Sequence, residues 1–89
     1  MPKLKQSMTA ATAEMVQRNI ESRACMLFGA TTGKAIAARI GMSEETFRGK
    51  RRKPRTWTIE QLCMTAQALK VPLTWLFTDH TAEIKEDGT

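Results

Sequence analysis

Six of the eight residues in 48-RGKRRKPR-55 are cations. Arg48, Lys50, Arg51, Arg52, Lys53 and Arg55 gather guanidinium and ammonium groups, whose shared chemistry is the binding of anions. A guanidinium grips two oxygens at once, and an ammonium acts as a point charge. By itself such a run fits a solvated loop, a phosphate-binding patch or a tether to an anionic membrane surface. Catalytic chemistry has no comparable footing. No nucleophile, base and orienting group recur at a recognisable spacing, and no glycine-rich phosphate cradle is present. His80 has no ligand partners at metal-binding distance in sequence. The expectation is a protein that is not an enzyme, with no cofactor, no metal and no small-molecule substrate.

The elements that position this run come from an 89-residue chain with 42% hydrophobic residues, enough for one small globular domain. A core of that size is limited, so a partner subunit would help. The net charge is +5. It is unevenly spread: residues 78–89 carry Asp79, Glu83, Glu86 and Asp87 against Lys85, leaving an excess of positive charge on residues 1–77. A basic body calls for an anionic partner. Cys25 and Cys63 fall in apolar helical patterns without a CxxC, and are read as reduced core residues in a reducing, cytoplasmic compartment. The six methionines are read as core filler. No apolar run is long enough to span a bilayer, and no apolar region follows the basic 1-MPKLKQSM-8 as in a secretory signal.

No strand-like alternation appears, and the fold class is all-α. Val16, Ile20, Ala24 and Leu27 recur at helical spacing and predict a first helix over residues 10–28, ended by Gly29. Thr32 caps a second helix with Ile36, Ala37 and Ile40 inward, and Gly41 breaks it. Ser43 caps a third helix, whose positive N-terminal end suits Glu44 and Glu45. Thr58 with Gln61 forms a capping box for a fourth helix, with Ile59, Leu62, Cys63, Ala66 and Leu69 inward. Val71-Pro72 interrupts it, and 73-LTWLF-77 forms a short fifth helix. The domain therefore spans 10–77, between a flexible N-terminus (1–9) and an acidic flexible tail (78–89). Trp75, Leu76 and Phe77 exceed what a short last helix buries alone, and are assigned to a homodimer interface.

Two short helices joined by a very tight turn, with the small Ala37 four residues before Gly41, match a helix-turn-helix. In 36-IAARIGMSEETF-47 and 59-IEQLCMTAQALKVPLTWLF-77 the sequence resembles the lambda Cro and phage-repressor family of helix-turn-helix proteins. The resemblance covers about residues 12–77. It implies a five-helix repressor-like bundle whose third helix, from Ser43 to about Arg51, lies in the major groove of double-stranded DNA. Phe47 faces inward. Glu44, Glu45, Arg48 and Arg52 then become candidate base readers, with Arg48 matched to guanine O6 and N7. Thr32, Lys34, Ser43, Thr46, Lys50, Arg51, Lys53 and Arg55 become candidate phosphate contacts. The implied function is a phage or prophage repressor, dimeric on an inverted repeat.

The chain departs from that family at two places. Lys50 stands where an apolar residue is usual. Either its stem packs while its head reaches outward, or the third helix ends near Gly49 and Trp57 fills the space. Glu44 and Glu45 stand where neutral readers are usual, although a carboxylate can accept from cytosine N4. Glu44 and Arg48 also have the spacing of a plain helix-surface ion pair. Two alternative functions keep the same scaffold: an antitoxin-type autoregulator, and a protein-interaction or inhibitor module, which the two glutamates favour. Membrane attachment finds no lipidation motif or amphipathic anchor.

Overall fold

The computed structural model describes residues 9–80. The expected N-terminal segment up to residue 8 and the tail beyond His80 lie outside the described residues. The chain is all-α: α1 (Ala10–Phe28), α2 (Gly33–Ile40), α3 (Glu44–Arg52), a single 3-10 turn (Pro54–Thr56), α4 (Ile59–Leu69) and α5 (Leu73–Leu76). The α1 bounds are those the periodicity predicts. α3 runs through Gly49 to Arg52, so it does not end early.

The starts of α1 to α4 are each fixed by a hydroxyl that satisfies a backbone N–H left over at the helix end. Thr32 accepts from the Ala35 N–H at 3.1 Å, and Ser43 accepts from the Thr46 N–H at 3.1 Å. Thr58 and Gln61 close the capping box, side chain to backbone in both directions. Gly29 (φ 70°) and Gly41 (φ 76°) end α1 and α2 in the left-handed region that glycine enters without strain. Lys70 (φ 60°) does the same for α4 without being a glycine.

The core is one cluster. α1 contributes Val16, Ile20 and Ala24; α2 contributes Ile36, Ala37 and Ile40; α3 contributes Phe47; α4 contributes Leu62, Ala66 and Leu69. Ala30, after α1, Trp57, after the 3-10 turn, and Leu76 of α5 close it. Three polar residues are buried with it: Gln17, Asn19 and Thr65. The Asn19 amide donates to the carbonyls of Leu76 and Thr78, both at 2.9 Å, and ties the α5 end to α1. The Arg23 Nε donates to the Leu69 carbonyl at 3.0 Å, satisfying an acceptor at the end of α4. Among the described residues every buried side-chain nitrogen or oxygen has a partner, as a core requires.

Several inward assignments need correction. Cys25 and Cys63 are both exposed free thiols. Each follows a buried residue, Ala24 or Leu62, and one residue is a ~100° rotation around a helix. The inward positions of α4 are 62, 65, 66 and 69, so Thr65 takes the place given to Cys63. Ile59 opens the helix one turn before its first buried residue and is 55% exposed. Leu27 is only half-buried. Met15 is half-buried outside the core cluster, Met26 and Met64 are exposed and Met42 only packs against the core's edge, so none of the four described methionines fills the core.

Candidate functional site

α3 has two faces with different work. Phe47, Lys50 and Arg51, spaced i, i+3 and i+4, turn toward the protein. Phe47 is fully buried and is the one buried residue of the helix. The Trp57 ring, itself buried, meets Phe47 edge-on with centroids 6.4 Å apart. Trp57 thus fills the space beside α3, as one of the two sequence readings expected, while the helix still continues. Lys50 stays with it: its Nζ donates to the Thr56 carbonyl at 2.7 Å and lies 5.8 Å from the Trp57 centroid. Partial burial lowers the pKa of this amine.

Arg51 is also paired within the protein, although it stays exposed. Its Nε donates to Glu21 Oε2 at 2.9 Å, and its guanidinium carbon lies 5.4 Å from the Phe47 centroid. The same Glu21 oxygen accepts from Gln17 Nε2 at 2.7 Å, and Gln17 Oε1 accepts from Trp57 Nε1 at 2.8 Å. One relay of polar groups therefore runs from Trp57 through α1 to α3. Gly33 completes the seat. A Cβ there would stand 3.3 Å from Arg51 and 3.6 Å from the Phe47 ring, so α2 meets α3 at close range.

The opposite face carries Glu44, Glu45, Arg48 and Arg52, all exposed. Positions 44, 48 and 52 share one row, with 45 beside it. Arg48 Nη2 donates to Glu44 Oε2 at 2.7 Å, the i,i+4 pair anticipated as the plain reading. Both side chains are well exposed, so this pair adds little stability. Its effect is to offset part of the Arg48 charge as seen from outside.

The candidate phosphate residues separate into two groups. Lys34, Lys53 and Arg55 are exposed and have no ion pair among the described residues, and Arg52 shares that condition. Lys50 and Arg51 are bonded within the protein, to the Thr56 carbonyl and to Glu21, while Arg51 itself stays exposed: the cations were read by charge, and their rotation around α3 brings them to these partners. Thr32, Ser43 and Thr46 are exposed, with Thr32 and Ser43 also serving as caps. Ser43 Oγ donates to Thr46 Oγ1 at 2.8 Å. Of the candidate interface residues, Leu76 is fully buried in the core and cannot meet a second subunit. Trp75 is half-buried and stacked on His80 with centroids 4.0 Å apart, while Phe77 is 37% exposed.

Sequence reasoning missed Gln17 and Glu21. A signal existed for Gln17: it sits beside Val16 on the apolar stripe, where a polar residue must find a buried partner. Glu21 had no such mark. Among the described residues no group of histidine, cysteine and carboxylate side chains has the makings of a metal site, and no helix is long and apolar enough to cross a membrane. The chain matches no family model, no curated protein and no solved structure.

Proposed function

We propose that this chain is a sequence-specific regulator that binds double-stranded DNA through α3, a small repressor of phage or prophage type acting as a homodimer on an inverted repeat. The observation that carries this reading is the division of α3. The helix is seated by Phe47, Lys50 and Arg51 and presents Glu44, Glu45, Arg48 and Arg52 to solvent. A short, rigidly seated helix with a polar outer face suits insertion into a major groove. The tight Gly41 link and the capped starts of α2 and α3 fit the helix-turn-helix resemblance. In this reading Arg48 reads guanine, Glu45 accepts from cytosine N4, and Lys34, Lys53 and Arg55 neutralise phosphates. The exposed edge of Phe77 and Trp75 meets the second subunit, and the protein works in the cytoplasm beside its DNA.

One observation favours a second reading. The Glu44–Arg48 pair, with Glu45 offsetting Arg52, leaves the outer face of α3 close to neutral. A neutral polar helix face also suits a protein partner. Selection of bound duplexes from a random pool decides between the two. Enrichment of an inverted repeat supports the regulator. Absence of any duplex binding at moderate salt removes it and leaves the protein partner.

A further inference from the structure

A groove of about 400 Å³ lies between the start of α1 and the 3-10 turn. Ala10, Ala13 and Glu14 line it on the α1 side, and Arg52, Lys53, Pro54, Arg55 and Thr56 line it on the other. The 3-10 turn is held there because Trp57, directly after it, is anchored to Gln17 of α1. Arg52, Lys53 and Arg55 thus converge on one hollow, all exposed and none in an ion pair among the described residues. Glu14 lines the same hollow without pairing with them. Like charges collected around a concavity raise its potential, and an anion placed there relieves it.

The hollow is larger than an inorganic anion needs and falls in the size range of small-molecule sites. Ala10 and Pro54 give it an apolar patch beside the cations. An apolar patch next to several cations matches a sugar carrying a phosphate. We infer that this groove binds a sugar-phosphate unit, with Arg52, Lys53 and Arg55 on the phosphate and Ala10 and Pro54 against the sugar. The unit has two sources: the backbone of a nucleic-acid strand, or a free mononucleotide. Glu14 separates them. A ribose hydroxyl gives its carboxylate a donor, whereas the deoxyribose within a DNA strand offers none and leaves Glu14 repelling the nearby phosphates. The inference rests on the DNA reading only for the first source.

The test is an amide chemical-shift titration of the whole chain, with adenosine monophosphate in one arm and a short DNA duplex in the other. Saturating shifts centred on Ala10, Glu14 and Thr56 are expected in at least one arm. Two variants sharpen it. Ala10→Glu places a carboxylate in the groove at the first position of α1, where a negative charge suits the helix end and the fold is kept. Ala11→Glu makes the same charge change one residue on, at an exposed position outside the groove. Binding of the active ligand should fall about tenfold in the first and little in the second. Equal loss in both variants, or no shift at those amides in either arm, overturns the groove. Duplex binding that ignores Ala10→Glu, with no groove shifts from adenosine monophosphate, overturns it while sparing the DNA reading. Groove shifts with adenosine monophosphate but no duplex binding support the groove and remove the DNA reading.

Discussion

The indole N–H of Trp57 donates to the side-chain carbonyl of Gln17 at 2.8 Å, across 40 residues of chain and inside the bundle. This bond fixes where the 3-10 turn sits, and with it the position of Arg55 and the end of α3. Its second partner, Glu21, then engages Arg51. A buried amide on α1 thus sets the orientation of a helix whose own core contribution is one phenylalanine.

Gln17→Ala should cost about 1–3 kcal/mol, because it leaves the Trp57 N–H buried without an acceptor. Urea unfolding followed by tryptophan fluorescence measures it. A change within a few tenths of a kcal/mol would show that water replaces the amide and that the relay is not structural.

Phe47→Ala removes the one buried side chain of α3. A loss of about 3–5 kcal/mol is expected, a large share of the stability of so small a domain. Calorimetry should show a melting transition lowered by tens of degrees or absent. A cooperative transition near that of the parent would mean that the capped turn alone holds α3.

If α3 binds DNA, the cations fall into two classes by their surroundings. Lys53→Ala and Arg55→Ala should each reduce the slope of log affinity against log salt by about 0.9. Lys50→Ala should leave that slope nearly unchanged and lower stability instead, since its amine is committed to the Thr56 carbonyl. Fluorescence anisotropy over a salt series separates the classes, and equal slopes for all three variants would refute the division.

Arg48→Ala should weaken binding to the selected half-site by about 1–3 kcal/mol relative to random duplex. Glu21→Gln should act in the opposite sense on general affinity. It releases Arg51 from its exposed ion pair at a stability cost below about 1 kcal/mol, and so steepens the salt slope. Parallel titrations of the selected and a scrambled duplex read both effects. An unchanged ratio in the first variant, or a flatter slope in the second, would contradict them.

Burial lowers the Lys50 pKa, so folding disfavours its charged form. The unfolded chain then binds more protons in the window between the folded and ordinary lysine values, and stability rises with pH across that window. Below it both states are protonated and the full penalty is present. Relative to Lys50→Met, the parent should therefore gain stability as pH climbs toward the ordinary lysine pKa. Denaturation midpoints of the two proteins at neutral and alkaline pH check the sign, which a narrowing of their difference in the other direction would reverse.

Much of the fold was legible because its signals are local. Thr32, Ser43 and Thr58 announce helix starts by hydroxyl chemistry, and Gly29 and Gly41 announce ends by backbone freedom. The face of a helix was legible only to within one residue. Cys25 and Cys63 were placed inward because each adjoins a stripe residue, and a single step of rotation exposes them. The site was legible as charge and not as partnership. Six cations were visible in 48–55, yet nothing local says that Arg51 meets Glu21 from 30 residues away, or that Lys50 turns to Thr56. Leu76 shows the same limit in reverse: an apolar surplus in a short helix looked like an interface, but α1 and α4 cover it.

The two faces of α3 also bear on how freely its outer side chains can vary. Phe47, Lys50 and Arg51 answer to the rest of the chain, while Glu44, Glu45, Arg48 and Arg52 are exposed and none is buried in the core. Substitutions at those four positions are nearly independent of the scaffold, so drift there can retune what the helix meets while folding stays under separate selection. A library randomised at the four codons should yield mostly folded members. The same scaffold then carries many different outer surfaces, with its evolvability set by a helix seated on one side only.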